Sequence, residues 1–373
     1  MKKYLIEVPV FIILCMVIVF IGHNLKYEKT VTTFSDNMAG TSTRISSDTS
    51  NDIPEPVTEE ETTPSGFSIT LSFIGDCLCA TDENTHYENC FNDIADIKPA
   101  SYFFKKVNSY FLQDDFTIAD CENVFSDSDN LQISDKGQYQ DPDIEAYWFK
   151  SKAKNAEILK AGGIDCVSIS NNHINDYGTT GHEDTKTALN SFKIKWGEEG
   201  KIVYYKKNNF KIGVICTTMY GSYAVDSIKA SIAKASKKSD YQIVYFHGGT
   251  EAVHEPEEWK IEACHMLADA GADLIMGDHP HVLQPMELYN DVTIIYSLGN
   301  FIFGGNRHPE NRTIIYQHTL TLEDNVLKNE SGKIIPCYVY TGDTNNWQPD
   351  IIKNKSEKQN VIRFMKGKRA LPY

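Results

Sequence analysis

Short apolar runs alternate with helical patterns along most of the chain, and this alternation constrains the fold more than any other feature. Apolar runs of strand length occur at 68–74, 117–120, 165–170, 211–217, 242–246, 274–276, 292–296 and 314–322. Helices are predicted at 100–112, 151–161, 180–189, 225–237 and 259–270. Strands that alternate with helices are typical of layered α/β domains. The sequence therefore predicts an α/β domain over residues 67–373, with no assignment for the last twenty residues.

An apolar stretch near the amino terminus predicts a membrane anchor over residues 1–27. Its unbroken part, residues 10–21, is shorter than the roughly 20 residues of a full span, so a cleaved signal peptide is the alternative. No small residues at the spacing of a cleavage site follow the run, which favours the uncleaved anchor. Lys2 and Lys3 favour a cytoplasmic amino terminus. We expect a single-pass protein of the cell membrane with its folded domain outside the cytoplasm.

Residues 28–66 have the composition of a flexible linker. They are rich in Ser, Thr and acidic residues and almost free of aromatic ones. Such a segment cannot bury enough apolar surface to offset the entropy of ordering it. We expect it to hold the folded domain away from the membrane.

The charge balance bears on the partners of the protein. There are 36 basic and 51 acidic residues, for a net charge of -15. A chain this acidic is a poor match for nucleic acid or for anionic lipid headgroups, so we expect no nucleic-acid partner. An anionic substrate stays open, because a bound metal reverses the field at its site.

Nine cysteines are scattered along the sequence, and no CxxC pair occurs. A zinc ribbon or a thioredoxin-like motif is therefore not expected. Several cysteines lie in strand-like runs, where buried, inert thiols are expected. One disulfide within the group Cys77, Cys79 and Cys90 is the alternative.

Polar residues come directly after five of the apolar runs. They are Asp76, Glu122, Asn171, Asn172, His173, His247, His279 and His281. Ligands of α/β sheets gather at the carboxyl ends of strands, so these side chains are expected to share one rim. Each residue alone has a plainer interpretation: Asp76 as a turn former, His173 as a packing residue.

The combination of carboxylate, imidazole and amide groups points to a metal site. These ligands suit Mn, Fe or Zn, and two ions that share a carboxylate can hold a tetrahedral phosphate. His279 and His281 could serve two neighbouring ions, and Asn172 could add a neutral oxygen. His173 would then be free to act as a general acid. One or two divalent ions are the predicted cofactor.

At this point the chain resembles the CapA family of poly-γ-glutamate capsule synthesis proteins, within the calcineurin-like metallophosphoesterase superfamily. The resemblance covers about residues 68–305, and its motifs are 75–76, 120–122, 171–178, 247–251, 277–281 and 296–301. It implies a fold with two central β-sheets flanked by helices.

The resemblance also implies a role for each motif residue. The metal ligands that it implies are Asp76, Glu122, Asn172, His247, His279 and His281. Asp76 and His281 would bind the first ion, Asn172, His247 and His279 would bind the second, and Glu122 would bridge them. His173 would be the catalytic imidazole. Glu251, Asn300 and Lys150 would line the substrate pocket, although Lys150 by itself is also typical of a solvated lysine.

Three positions depart from the family pattern. Leu78 stands where a metal-binding histidine is usual, so one metal site is expected to lack a ligand. Gly248 replaces a tryptophan and is expected to leave that wall of the site open. The sequence Asp-Cys-Glu at 120–122 replaces Asn-Leu-Glu, so Asp120 is an alternative to Glu122 as the bridging acid, although the alignment favours Glu122.

Two functions of different class follow. The first is a metal-dependent hydrolase for phosphoester or amide bonds, involved in poly-γ-glutamate capsule biosynthesis. The second is a non-catalytic accessory or polymer-binding subunit of a cell-surface synthesis or export assembly, which includes an inactive phosphatase fold used for binding. Its partners would be other polymer-synthesis membrane proteins and the acidic polymer itself.

Overall fold

The computed structural model describes residues 66–129, 131 and 147–373. The predicted anchor at 1–27, and the predicted linker up to residue 65, lie outside these residues. Within the described ranges, no helix has both the length and the apolar character needed to cross a lipid bilayer.

The described part of the chain is built from β-strands, six α-helices and short 3-10 turns. The strands, in chain order, are β1 Gly66–Cys77, β2 Thr81–Asp82, β3 Phe116–Cys121, β4 Val124–Phe125, β5 Phe149–Ser151, β6 Cys166–Ser168, β7 Lys195–Gly197, β8 Val203–Lys207, β9 Phe210–Thr218, β10 Tyr241–His247, β11 Leu274–Asp278, β12 Leu283–Tyr289, β13 Val292–Leu298, β14 Asn300–Ile302, β15 Arg312–Glu323, β16 Val326–Tyr338 and β17 Asp350–Ile351. The helices are α1 Phe91–Ile97, α2 Glu157–Gly162, α3 Gly178–Ser191, α4 Val225–Ala235, α5 Glu258–Asp269 and α6 Lys355–Met365.

Two large sheets form the centre of the fold. An 8-stranded sheet has the order β17-β16-β15-β1-β3-β6-β7, with β14 paired to β1. A 6-stranded sheet has the order β12-β13-β11-β10-β9-β8. The neighbours β1, β3, β6 and β7 run parallel, as do β9, β10, β11 and β13. A small 3-stranded sheet, β2-β5-β4, is separate from both.

Three apolar layers hold these sheets and helices together. The inner layer joins the facing sides of the two large sheets, with Phe73 and Ile118 from one and Val214 and Met276 from the other. A second layer covers the outer face of the 8-stranded sheet with α1, α2 and α3. A third packs α4 and α5 on the outer face of the 6-stranded sheet. This arrangement confirms the predicted α/β class with two central sheets flanked by helices.

The strand predictions agree with the structure in position, but two helix predictions do not. Residues 100–112 form a 3-10 turn at Ala100–Tyr102 followed by irregular turns instead of one helix. Their aromatic side chains, among them Phe103 and Phe104, are fully buried in the outer layer, so tertiary packing overrides the helical pattern. The prediction for 151–161 begins too early, because Ser151 belongs to β5 and its hydroxyl donates to the carbonyl of Cys79.

Several elements were not predicted. The longer ones are β8, β12, β16, the helix α1 and the C-terminal helix α6. The short strands β2, β4, β5, β7, β14 and β17 were not predicted either. The strand β16 alternates weakly and is mostly exposed over its first half. The helix α6 begins at an Asn354 cap whose side chain accepts from the backbone of Ser356 and Glu357, a signal that could be found in sequence.

The eight described cysteines are all buried, and none forms a disulfide. The prediction of buried thiols is therefore confirmed, and the alternative disulfide among Cys77, Cys79 and Cys90 does not form. Burial raises the pKa of the Cys77 and Cys121 thiols well above the ordinary value, which keeps them protonated and inert.

Gly75 shows how closely β1 approaches the turn after β13. A Cβ atom on Gly75 would lie 1.9 Å from the carbonyl oxygen of Gly299, which is backbone and cannot move aside. We expect Gly75→Ala to lower the free energy of unfolding by about 3 kcal/mol, as overpacked cores do, measured by urea denaturation. The control Gly66→Ala meets only an ordinary 3.7 Å contact and should change stability by less than about 0.5 kcal/mol. Equal stability of the two variants would contradict this reading of the turn.

Candidate metal centre

The carboxyl ends of parallel strands from both large sheets deliver polar side chains to one buried place. Asp76 and Asp120 are paired at the ends of β1 and β3, and His247 and Asp278 at the ends of β10 and β11. All four side chains have no exposed surface. One donor atom from each lies within 4.8 Å of those of the others. Because the two sheets face each other, strand ends that are far apart in sequence meet here.

Burying these acidic groups close together without a cation has an unfavourable electrostatic free energy. Four carboxyl groups, Asp76, Asp120, Glu122 and Asp278, are fully buried. Burial, followed by mutual repulsion, raises the pKa of Asp120 and Glu122 well above the ordinary range. Burial likewise raises the pKa of Asp278 to about 7. Positive charge bound among these groups would offset their desolvation and repulsion.

Glu122 gives the clearest sign of a missing partner. Both carboxylate oxygens are buried and have no hydrogen-bond partner among the described residues. Oε1 faces Nε2 of His247 at 3.6 Å, and Oε2 faces Nδ1 of His281 at 4.0 Å. A buried carboxylate is normally satisfied by donors or by a metal ion. Its two oxygens therefore face two adjoining groups of candidate ligands. One donor atom each of Glu122, His279 and His281 also lies within 4.8 Å of the others.

The first of these groups surrounds His247. Its Nε2 lies 2.8 Å from Oδ1 of Asn172 and 3.0 Å from Nδ1 of His279, and its Nδ1 lies 2.9 Å from Oδ1 of Asp278. Burial lowers the pKa of His247 to about 3, so the neutral ring carries one proton. That proton can serve only one of the oxygens of Asp278 and Asn172. The other contact therefore needs either a proton on Asp278, whose pKa burial raises to about 7, or a bound cation. A cation bound between these electron-pair donors removes the need for that proton.

The second group surrounds His281. Its Nδ1 lies 3.2 Å from Oδ2 of Asp76 and 2.9 Å from Oδ1 of Asn300. Asn300 is paired in register with Asp76 through β14 and is buried. Its amide nitrogen donates to Asn306, so its oxygen is the atom turned toward His281. Among Asp76, His281 and Asn300, it is His281 that faces the second oxygen of Glu122.

The His279-Pro280-His281 segment has an unusual backbone. His279 has a φ of 88° and His281 has a φ of 59°. Residues other than glycine rarely adopt a positive φ. The backbone N–H of His279 donates to Oδ1 of Asp76. Such strain persists only where the surroundings enforce it, and it is common at functional sites. Here it directs two imidazoles into the two ligand groups.

His173 lies beside these groups on the loop after β6. Its Nδ1 is 2.9 Å from Oδ2 of Asp176, and its ring packs edge-on against Phe149 with centroids 4.7 Å apart. Its backbone N–H donates to Oδ1 of Asn171, whose amide in turn bonds both oxygens of Asp120 at 3.2 Å. The loop of His173 is thus tied directly to the buried acids.

The three predicted pocket residues lie in different surroundings. Asn300 belongs to the buried cluster, whereas Glu251 is at its mouth, with a side chain 60% exposed and 4.0 Å from His279. Lys150 lies on the small sheet, where its Nζ donates to the carbonyl of Ser128 and sits over the ring of Tyr177.

The structure shows the surroundings of two positions that depart from the family pattern, Leu78 and Gly248. Leu78 is buried in the apolar core. The prediction that Gly248 leaves this wall of the site open is wrong. The backbone of Met219 occupies the space, and a Cβ atom on Gly248 would lie 1.9 Å from the carbonyl oxygen of Met219.

Three residues at the cluster received no individual role from the sequence, although Asn171 was among the polar residues expected at the rim. Asp278 bonds Nδ1 of His247, the amide of Asn171 donates to Asp120, and the hydroxyl of Tyr220 donates to Oδ1 of Asn172 at 3.2 Å. Asp278 and Asn171 stand next to predicted ligands, so their position at strand ends was an available signal. Tyr220 follows β9 without any such pattern.

Comparison with known proteins agrees with the earlier resemblance. The family model of the bacterial capsule synthesis protein PGA_cap matches residues 70–305. The PGA biosynthesis protein CapA of Bacillus subtilis (strain 168) is 26% identical over 318 residues, covering 79% of this chain and 76% of that protein. The capsule biosynthesis protein CapA of Bacillus anthracis is 28% identical over 326 residues, covering 80% and 74%.

Among solved structures, a 5'-nucleotidase from Candida albicans SC5314 aligns with a TM-score of 0.39 and 11% identity, over 72% of this chain and 51% of that one. The family match spans well over half of the sequence and contains every strand end that meets at the buried cluster. The chain therefore belongs to the bacterial capsule synthesis protein family, PGA_cap.

Proposed function

We propose that this chain is a metal-dependent hydrolase that acts in the biosynthesis of a poly-γ-glutamate capsule. The observation that carries the proposal is Glu122, a fully buried carboxylate whose two oxygens lack partners among the described residues and face two groups of metal-ligating side chains. The family membership and the printed names of the two Bacillus relatives support the connection to capsule polymer.

The proposed ligands form two sets that share Glu122. One set is Asn172, His247 and His279, and the other is Asp76, His281 and Asn300. The distances around His247 and His281 given above support this division. Asn300 would thereby supply, through its amide oxygen, the ligand that is missing at Leu78. Manganese, iron and zinc all suit this mixture of carboxylate, imidazole and amide donors.

Divalent ions in this centre would supply the Lewis acid that polarises a phosphoryl or carbonyl oxygen and activates water. The residues of the chain have the remaining tasks. Asp278 fixes the ring of His247, and Asn171 fixes Asp120. His173 is held at Nδ1 by Asp176, so its Nε2 is the atom that can deliver a proton to the leaving group. The reaction is therefore hydrolysis of a phosphoester or amide bond with His173 as the general acid.

The position of the protein in the cell is part of the same proposal. The apolar run at 10–21, preceded by Lys2 and Lys3, supports a single-pass anchor with the folded domain outside the cytoplasm. Protease added to intact protoplasts should degrade the domain if this is correct. Full protection of the domain, with degradation after lysis, would contradict it.

Asn300 allows the division into two ligand sets to be tested. We expect Asn300→Ala to lose about one of two metal equivalents, because it removes a ligand from the set that already lacks the histidine at Leu78. Elemental analysis of the purified full-length protein measures this. Asn311→Ala is the matched control, since Asn311 is equally buried but bonds the carbonyl of Tyr340. Full metal content in Asn300→Ala would remove Asn300 from the centre.

The function itself is tested by loading the full-length protein with manganese or zinc and screening phosphomonoesters, phosphodiesters and γ-glutamyl amides for hydrolysis. Hydrolysis that needs the metal and is lost in Glu122→Gln supports the proposal. In the source bacterium, Glu122→Gln should also fail to restore surface polymer to a deletion strain. Full restoration by this variant would overturn hydrolysis as the function and favour an accessory role.

A further inference from the structure

A second group of metal-ligating side chains lies outside the centre described above. It consists of His86 and Cys90, on the loop after β2, and Asp93, in the first turn of α1. One donor atom from each residue lies within 4.8 Å of the others, and Nε2 of His86 is 3.1 Å from Oδ1 of Asp93. Cys90 is fully buried, while the His86 and Asp93 side chains are 73% and 41% exposed. The group shares no residue with the Glu122 centre.

We propose that His86, Cys90 and Asp93 bind a zinc ion. Thiolate, imidazole and carboxylate are the ligands that zinc prefers, and they lie about 2.0–2.3 Å from it. Three protein ligands leave one coordination position for water or for a ligand from outside.

The backbone around these residues is well held. The N–H of Cys90 donates to the carbonyl of Tyr87, and the carbonyl of Asn89 accepts from the indole of Trp347. The ring of Phe91, next in sequence, packs edge-on against Trp347 with centroids 5.3 Å apart. Two neighbours of Cys90 are thus fixed to a buried tryptophan, so little ordering is required when an ion binds.

An adjoining cavity supplies room for the open position. Its volume is about 210 Å³, and both His86 and Cys90 line it. Asn92 lines it as well, and its Oδ1 is buried with no hydrogen-bond partner among the described residues. An unsatisfied buried oxygen beside three metal-ligating groups is an independent sign of a missing ligand.

The charges around the cavity favour a cation. Asp82 and Glu83 line it together with a single positive side chain, Lys150. The ammonium group of Lys150 is turned to the carbonyl of Ser128 and the ring of Tyr177. Binding of zinc would release the thiol proton of Cys90 to solvent, since the thiolate is the ligand. The bound ion would then carry one thiolate and one carboxylate as its charge partners.

Cobalt substitution tests this site separately from the Glu122 centre. The full-length protein is titrated with Co²⁺, and the near-ultraviolet thiolate-to-cobalt charge-transfer band is recorded. The proposed ligands of the Glu122 centre include no cysteine, so a band that is lost in Cys90→Ser is assigned to this second site. We expect the band in the parent, its removal by added zinc, and its loss in Cys90→Ser and His86→Ala. Zinc affinity at this site should fall at least about tenfold in His86→Ala.

Two controls make the result decisive. Glu122→Gln should keep the band, so loss of metal at the Glu122 centre would not be mistaken for loss of metal at this second site. Cys264→Ser, another buried cysteine, should also keep it. His86 is exposed, so His86→Ala tests the site even if Cys90→Ser fails to fold. Absence of the band in the parent, or its persistence in His86→Ala, would overturn the proposal.

Discussion

Replacing Glu122 by glutamine is expected to weaken binding of divalent metal at the buried centre by at least about 100-fold, because one side chain faces both ligand groups. Metal-dependent hydrolysis should fall by about 10³-fold, since the loss of Lewis-acid stabilisation amounts to several kcal/mol. The substitution keeps the shape of the side chain and removes only its charge. Elemental analysis and initial rates on the best substrate measure the two effects.

In the metal-free protein, replacing Glu122 by glutamine should increase stability. Burial raises the pKa of Glu122 well above its ordinary value. A carboxyl whose pKa is raised by folding destabilises the folded state as pH increases above the unfolded pKa. Without metal, Glu122→Gln is therefore expected to melt above the parent at pH 7 to 8, and this advantage should shrink toward pH 4.5. With metal, the order should reverse.

Glu251→Gln is the matched control, because Glu251 is close to His279 but its side chain is 60% exposed. It should leave metal content and melting temperature nearly unchanged. If the metal-free Glu122→Gln protein were less stable than the parent at pH 8, the Glu122 oxygens would have partners that the structure does not reveal. The proposed centre would then lose its main support.

The second large effect concerns His173. We expect His173→Gln to lower kcat by about 10²- to 10⁴-fold, the usual contribution of a general acid, while metal content stays at the parent level. The loss should be greatest for substrates with alkoxide or amine leaving groups, which need a proton. It should be smallest for nitrophenyl esters, whose leaving group departs without one.

Asp176 is a positioning residue in this scheme, since it touches Nδ1 of His173 and not the substrate. Asp176→Asn should give a smaller loss of kcat with the same dependence on the leaving group. His182→Gln serves as a control, because His182 pairs with Glu198 elsewhere. Loss of metal in His173→Gln, or an equal loss of kcat for all leaving groups, would show that His173 is not the general acid.

The regular part of the fold could be predicted from local patterns. Strands such as β9 and β10 contain continuous apolar runs, because both faces of a central strand in this fold are covered. The helix predicted at 100–112 does not form, because Phe103 and Phe104 pack into the apolar layer over the 8-stranded sheet. Strand β16 lies near the sheet edge, is half exposed and lacks an apolar signal.

For the candidate site, too, the residues could be named from the sequence but their contacts could not. Asp76, Glu122, Asn172, His173, His247, His279 and His281 could be named from the sequence, because strand ends are visible as an apolar run followed by a polar residue. Their division into two sets around Glu122 was implied only by the family resemblance, and the contacts that produce it could not be predicted. That Glu122 turns one oxygen to His247 and the other to His281, and that Asn300 faces His281, depends on how the two sheets face each other. Strand β14 brings Asn300 level with Asp76 across more than 200 residues of chain.

Residue type and local pattern are written along the chain, so they determine the fold class, the family and the set of metal-ligating side chains. Distance and burial depend on contacts between segments remote in sequence, and only the tertiary structure decides them. It fills the gap beside Gly248 with the backbone of Met219 and places Lys150 on the small sheet, against Ser128 and Tyr177. It also brings His86, Cys90 and Asp93 together, because the turn at 87–90 and the start of α1 place their side chains close to one another.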